Sequence, residues 1–418
     1  MNRNLLTLMI AAAFALAGCG GGSSAPTAAS SGSGLGGSGT ASSGSGGGGS
    51  SATQYADVLY APYNPSGPVP GTLAAYAIDA GTGALTAVGS GAPTGNSPLQ
   101  AVKTPNGQFV YTANYGDGTI SAYAVNASSG ALTALPGSPF SFSSLPALSG
   151  QSLLGMVIDA SGKYLYAIFG NVAAGGTIVA CSIATSGAIA TINQGVFPQS
   201  SPINGGSYAV AATSGGYLYL ANNTASGGQI SAFQINPSSG LLTPISTTPI
   251  PSTLEVSGSM TAVGNALYLT GEDTATASNA YISEYAIDPS SGQLTHETDW
   301  QVGQNTIPVD LVANPAGSAL YATLQSTASG GNGEIVGYTV NPASGALTAM
   351  PTSPFATGAA PDGLAFAPAG NFAYVANAAG GSVTGYAVDA TTGALTSLQG
   401  GAPLATGSTP LDVLTEAP

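Results

Sequence analysis

The sequence predicts an all-β protein built from one repeated unit, and three observations carry that reading. A strand–turn–strand phrase, first met as "YAIDAGTGALT" (76–86), occurs seven times with starts 47 to 58 residues apart. Charged residues are only 5% of a chain that holds 62 glycines, against roughly 25% charged in average soluble proteins, so small and turn-forming residues dominate. The repeat region also begins and ends on complementary part-units. A period near 50 residues marks blade or array architectures. Together these predict a seven-bladed β-propeller of four-stranded antiparallel blades, its ring closed by the C-terminal strand completing the first blade.

The first segment stands outside this pattern. Residues 1–18 place Arg3 before an apolar stretch and small residues, the layout of an export signal. Its ending, Leu16-Ala17-Gly18-Cys19, resembles the bacterial lipobox, which implies cleavage before Cys19 and lipidation of its thiol. An ordinary secretory signal is the alternative. Residues 19–53 hold Cys19 and a Gly/Ser-rich run with almost nothing to bury, so a disordered tether is expected. As a flexible coil it spans roughly 30–35 Å. Gly20, where an Asp would suggest inner-membrane retention, favours an outer-membrane or cell-surface lipoprotein anchored through its lipid. Residues 54–418 form the propeller.

The copies after the first are "YAVNASSGALT" (123–133), "CSIATSGAIAT" (181–191), "FQINPSSGLLT" (233–243), "YAIDPSSGQLT" (285–295), "YTVNPASGALT" (338–348) and "YAVDATTGALT" (386–396). Each reads as the end of one strand, a turn and the start of the next. Asn or Asp opens the turn through side-chain to backbone bonds, and Gly takes the left-handed closing position. Gly83, Gly130, Gly187, Gly240, Gly292, Gly345 and Gly393 are therefore structural expectations. A second phrase, such as "TPNGQFVYTAN" (104–114) or "APAGNFAYVAN" (367–377), supplies another turn and an aromatic, β-branched strand. Each unit then has an inner strand A after a Pro ("PLQAV", 98–102), B ("QFVYTAN"), C ("TISAYAV") and an outer strand D ("ALTAL"). The opening "YADVLYAPY" (55–63) resembles a strand B, and the closing "TPLDVLTEAP" (409–418) resembles a strand A. Joining them closes the ring and pairs the sheet edges. A solenoid of stacked hairpins shares the period but leaves these ends unexplained.

The phrases "FVYTAN" and "FAYVAN", with "GTISAY" and "GSVTGY" downstream, resemble the YVTN-type repeats of bacterial surface propellers and of the seven-bladed lactonases. That lactonase family includes 6-phosphogluconolactonase-like and muconate-cycloisomerising enzymes. The resemblance covers about residues 55–418 and implies the propeller fold and a lactone hydrolase or isomerase. The family carries Gly-Pro-Arg-His at the start of an inner strand and Asn-Glu after a later one. Here the Pro positions read Pro98-Leu99-Gln100, Pro308-Val309-Asp310, Pro361-Asp362-Gly363 and Pro410-Leu411-Asp412, and Tyr115, Asn223 and Ala378 follow the Asn. None supplies the fixed positive charge that a phosphorylated or multiply carboxylated lactone needs.

Charge narrows function further. Beyond Arg3 the basic side chains are Lys103 and Lys163 against 17 acids, a side-chain sum of −15, which excludes phosphate-neutralising nucleic-acid binding. His296, the one histidine, falls in an outer strand and reads as a surface residue. Cys181 reads as a small buried residue without a partner, so no intrachain disulfide is expected. The A–B and C–D turns are uniform and share one face. The B–C and D–A links vary and share the other, where binding is expected. That face would gather Asp310, Asp362, Asp412 and Gln100 at the channel mouth, with Asp117, Glu272 and Asp273 on surrounding loops. Such an acidic mouth suits a hard cation such as Ca²⁺, or a neutral polyhydroxylated ligand. Solvated turn acids are the plainer alternative. The sequence thus favours a monomeric, lipid-anchored binding or structural module for a polysaccharide, protein or cation, with lactone hydrolysis or isomerisation as the alternative.

Overall fold

The computed structural model describes residues 54–60, 70–170, 175–202, 208–224, 227–275, 278–328, 330–398, 403–406 and 409–416. The expected signal segment, Cys19 and the linker to residue 53 lie outside the described residues. The described strands form seven antiparallel sheets. Blade 1 joins Gln54–Tyr60, Pro70–Ile78 and Leu85–Asn96 to the last strand, Pro410–Glu416. That strand pairs antiparallel with the first, Tyr55 opposite Glu416 and Val58 opposite Val413.

Blade 2 contains Pro98–Lys103, Phe109–Asn114, Thr119–Val125 and an outer strand broken into Leu132–Ala134 and Phe140–Ser141. Blade 3 contains Ser152–Ile158, Tyr164–Gly170, Gly175–Ile183 and Ile189–Pro202, and blade 4 Tyr208–Ala212, Tyr217–Thr224, Gly227–Ile235 and Leu242–Pro249. Blade 5 contains Leu254–Val263, Ala266–Asp273, Asn279–Ile287 and Leu294–Gln304. Blades 6 and 7 begin with Thr306–Ala313 and Pro361–Phe366 and repeat the broken outer strand of blade 2. The inner strands touch in a cycle from blade 1 through blade 7 and back to blade 1. The chain is therefore an all-β propeller of antiparallel four-stranded blades. The long link at 139–153 carries a short 3₁₀ turn, Pro146–Leu148, which seats Leu148 in the blade 2–3 core.

The repeated phrase folds as its chemistry predicts. Asp288 Oδ1 accepts the Ser290 hydroxyl and the Ser290 and Ser291 amides, which holds its carboxyl below the usual range, and Asn126 and Asn341 make the same turn. Gly187 has φ +81°, and a Cβ there would lie 2.3 Å from the Phe109 ring of the preceding blade. The phrase is thus also an inter-blade contact. Tyr111, Tyr166, Tyr219, Tyr268, Tyr321 and Tyr374 are fully buried on successive B strands. Each hydroxyl donates to the carbonyl of the phrase glycine one blade on: Gly187, Gly240, Gly292, Gly345, Gly393 and Gly83, at 2.5–2.9 Å. Burial raises all six phenols, Tyr321 to about 12. They stay protonated, as a donor must.

Blade 5 departs from this regularity. Where the B strands of blades 2, 3, 4 and 7 begin with an aromatic ring over the next glycine, blades 5 and 6 have Ala266 and Ala319. Glu284 fills the space, standing opposite Tyr268 where the C strands of blades 2 to 4 carry Ala122, Ala180 and Ala232 and those of blades 6 and 7 carry Gly337 and Gly385. It is 3% exposed, and burial, then Glu297, raises its carboxyl.

Candidate functional site

In blades 1, 2, 6 and 7 the inner strand leaves its neighbour's register after Pro410, Pro98, Pro308 and Pro361. The extra residue is a bulge, which re-aims side chains toward the axis. Just past it stand Gln100, Asp310 and Asp412, with Gly155 and Ala209 at the same register in blades 3 and 4 and Ser259 and Gly363 inside the bulges of blades 5 and 7. Four of these make contacts to the next blade. Asp412 accepts the Ala101 amide (2.9 Å), Gln100 the Met156 amide (2.7 Å), and Asp310 the Leu364 amide (2.9 Å). Ser259 donates its hydroxyl to Asp310 at 3.0 Å. These polar side chains fasten inner strand to inner strand.

Among the described residues no group of three or more His, Cys, Asp or Glu has metal-holding geometry. Asp310, Asp412 and Gln100 give oxygens to backbone amides that would otherwise lack partners, which turns them into latches rather than ligands. Asp117 likewise accepts the Asn96 amide and the Thr119 hydroxyl and tightens a B–C turn. Asp273 accepts from the Asn279 side-chain amide.

Asp362 differs from the other two channel acids. It lies one position earlier, in the bulge, where blades 2, 6 and 1 carry Leu99, Val309 and Leu411. No hydrogen bond to its carboxyl occurs among the described residues. Burial, then the charges of Asp412 and Asp310, push it well above the ordinary carboxylate range. Asp412 is itself raised to about 7, mainly by burial. All three keep partial exposure, which the central channel supplies.

Glu272 is the more informative acid. It is 4% exposed, and burial, then Glu255 and Asp273, lift it to about 7. It stands four residues after the ladder tyrosine Tyr268 on strand B, as Asn223 and Gln325 do after theirs. Those amides grip the next inner strand. Asn223 accepts the Val256 amide at 2.9 Å and donates to its carbonyl at 3.2 Å, and Gln325 donates to the Pro361 carbonyl at 3.1 Å. In blade 6 the residue at this register is Pro308, which has no N–H. The inner strand of blade 6 therefore offers no N–H at the register that Asn223 and Gln325 grip in their next blades. No hydrogen bond to the Glu272 side chain occurs among the described residues. The neighbouring bulge holds Ser257, 1% exposed, with a hydroxyl lacking any partner.

Other candidates fall away. Cys181 is fully buried and its thiol is pushed up to about 12, which leaves it inert. His296 is half-buried rather than freely exposed, with Nε2 3.0 Å from Asp299 Oδ1. The same oxygen accepts the Ser283 hydroxyl, and no serine bonds His296 among the described residues.

The family model for the 7-bladed β-propeller lactonases matches residues 51–136 and 329–410. The first and last blades of this chain match the lactonase propeller family. No curated protein matches the chain. Solved structures agree in fold. A Bacteroides fragilis protein provisionally named a 6-phosphogluconolactonase is 18% identical, with TM-score 0.66 over 88% of this chain and 98% of its own. One from Bacteroides uniformis, named the same way, is 17% identical, with TM-score 0.68 over 87% and 100%. The periplasmic gluconolactonase of Pseudomonas aeruginosa is 18% identical, with TM-score 0.66 over 87% and 100%.

By register Gly271-Glu272 stands in blade 5 where blades 2, 4 and 7 carry Asn114-Tyr115, Asn222-Asn223 and Asn377-Ala378. Gly in place of Asn hides this equivalence in the sequence.

Proposed function

We propose that this chain is a closed seven-bladed propeller that hydrolyses lactones at the mouth of its channel, with Glu272 as general base. The carrying observation is the choice of Glu where Gln325 shows that an amide serves the structure. A buried carboxyl with no hydrogen-bond donor costs stability, and such costs concentrate at functional sites. A carboxyl near 7 is suited to take a proton from water at neutral pH. Water attacks the carbonyl carbon, Glu272 takes its proton, the ring C–O bond breaks, and the same proton returns to the leaving oxygen. Seven register-matched sheets and the pairing of the last strand with the first support the closed ring.

The test is turnover of a panel of lactones by the full chain and by Glu272→Gln. A loss of about 100-fold or more in kcat is expected, the usual size of a general-base contribution. Turnover retained by the Gln variant would sink the assignment. The missing arginine and the variable loops of this face favour a second reading, a binding module for a glycan or protein, which predicts binding without turnover. The segment ending in Leu16-Ala17-Gly18-Cys19 supports export and lipid anchoring at Cys19, most simply at an outer membrane or cell surface.

A further inference from the structure

We propose that the joint between blades 5 and 6 is a pH-operated seam, closed while Glu272 and Glu284 are protonated and loosened when both ionise. Two contacts recur where one blade meets the next. Near the mouth, neutral amides grip the following inner strand, Asn223 on Val256 and Gln325 on Pro361. On the opposite face an aromatic or apolar group covers the phrase glycine. Phe109, Tyr164, Tyr217 and Phe372 cover Gly187, Gly240, Gly292 and Gly83, and Met350 with Tyr321 covers Gly393. The joint between blades 5 and 6 carries a carboxyl at each end instead. Glu272 takes the register position of the amides, and Glu284 Oε1 lies over Gly345. Both residues are buried, and neither carboxyl has a hydrogen bond among the described residues.

Among the described residues, the ionisable groups that face these two carboxyls are acids and one phenol. Glu255 stands opposite Glu272 on the inner strand, Asp273 follows it, and Ala280 opposes it on strand C. The blade 6 inner strand brings Pro308 to that register, and Asp310 beyond it already accepts from Leu364 and Ser259. Around Glu284 stand Tyr268 on strand B, Glu297 and Thr298 on the outer strand, and the Asn341–Gly345 turn of blade 6. His296 on that outer strand is turned edge-on to Tyr285 and paired with Asp299. Burial and the charge of Glu284 keep the Tyr268 phenol protonated. Lys103 and Lys163 belong to blades 2 and 3. Protonated, each carboxyl is a neutral group that a buried joint tolerates. Ionised, it lacks a donor and has like charge beside it, so local opening that hydrates it becomes favourable. Burial lifts Glu272 to about 7 and raises Glu284 as well. Their contribution to the closed joint is fully present below pH 4.5 and is lost as pH rises through about 7.

The experiment is amide hydrogen exchange of the full chain at about pH 5 and about pH 8.5, corrected for the intrinsic effect of pH and read on fragments by mass spectrometry. Strands Ala266–Asp273 and Thr306–Ala313 should lose at least about tenfold in protection at the higher pH. Strands Tyr164–Gly170 and Tyr217–Thr224, at joints closed by aromatic rings, are the internal reference and should change by less than about twofold. Glu272→Gln combined with Glu284→Gln should abolish the difference between the two pairs of strands, and Glu284→Gln alone should reduce it. A loss spread equally over all four strands, a loss that survives in the double variant, or no loss at all overturns the proposal. Should the double variant fail to fold, Glu284→Gln alone decides. An unchanged loss at Ala266–Asp273 in that variant overturns the seam, and a smaller one upholds it. No substrate enters the measurement, so its outcome is independent of the hydrolase reading.

Discussion

Replacing Glu272 by Gln should make the protein more stable and less active at once, and the size of the gain follows from the site. The carboxyl's ordinary value is 4.5 and the fold holds it at about 7. At 1.36 kcal/mol per tenfold change in proton affinity, keeping it ionised in the folded state costs about 3 kcal/mol. The folded value is raised, so its stabilising contribution is fully present below pH 4.5 and is lost as pH rises through about 7. Gln carries no charge at any pH and supplies the N–H that Gln325 uses one blade on. The Gln variant should therefore match the parent near pH 4.5 and exceed it by about 3 kcal/mol near pH 8.5. Denaturant unfolding of both proteins at those two pH values measures the gap. Comparing the pair cancels the contributions of Asp362, Asp412 and Glu284, which are also raised. A gap that is the same at both pH values, or a Gln variant that is weaker at pH 8.5, would refute the placement of Glu272 against a donorless strand.

Three further outcomes check the frame around the site. Tyr374→Phe removes the hydroxyl that joins blade 7 to Gly83 and leaves a buried carbonyl unbonded, so a loss of about 1–2 kcal/mol in unfolding free energy is expected. Gly187→Val combines a left-handed backbone with a clash on the Phe109 ring, and should lower stability by about 3 kcal/mol or block folding, read by circular dichroism and melting. Cys181 should resist thiol reagents in the native protein and react fully only on unfolding, followed by absorbance of the released chromophore.

The sequence makes the repeats legible because their information is local. A turn that needs Asn or Asp at one end and Gly at the other is written within six residues, and its strands follow by alternation. The roles of the acids depend on register between distant strands and stay hidden. Asp310 and Asp412 look like ligands until their oxygens are found on Leu364 and Ala101 of the next blade. Asp362 looks like their equivalent because all three follow a Pro closely, yet the bulge separates them by one position. Glu272 reads as a loop acid because Gly271 stands where an Asn would mark it. Its burial and its proline neighbour belong to another blade.

The tyrosine–glycine contacts also bear on how such a ring can change its size. The units of blades 2 to 7 each carry a plug, the strand-B tyrosine, and its socket is the carbonyl at the end of the next unit's hairpin. A tandem duplication that copies one unit copies both halves of the joint, so the new neighbours are already fitted to each other. The one register position without a tyrosine is Asp57, in the blade made from both chain ends. The joint between the two termini of the polypeptide keeps its plug, Tyr374 in Gly83.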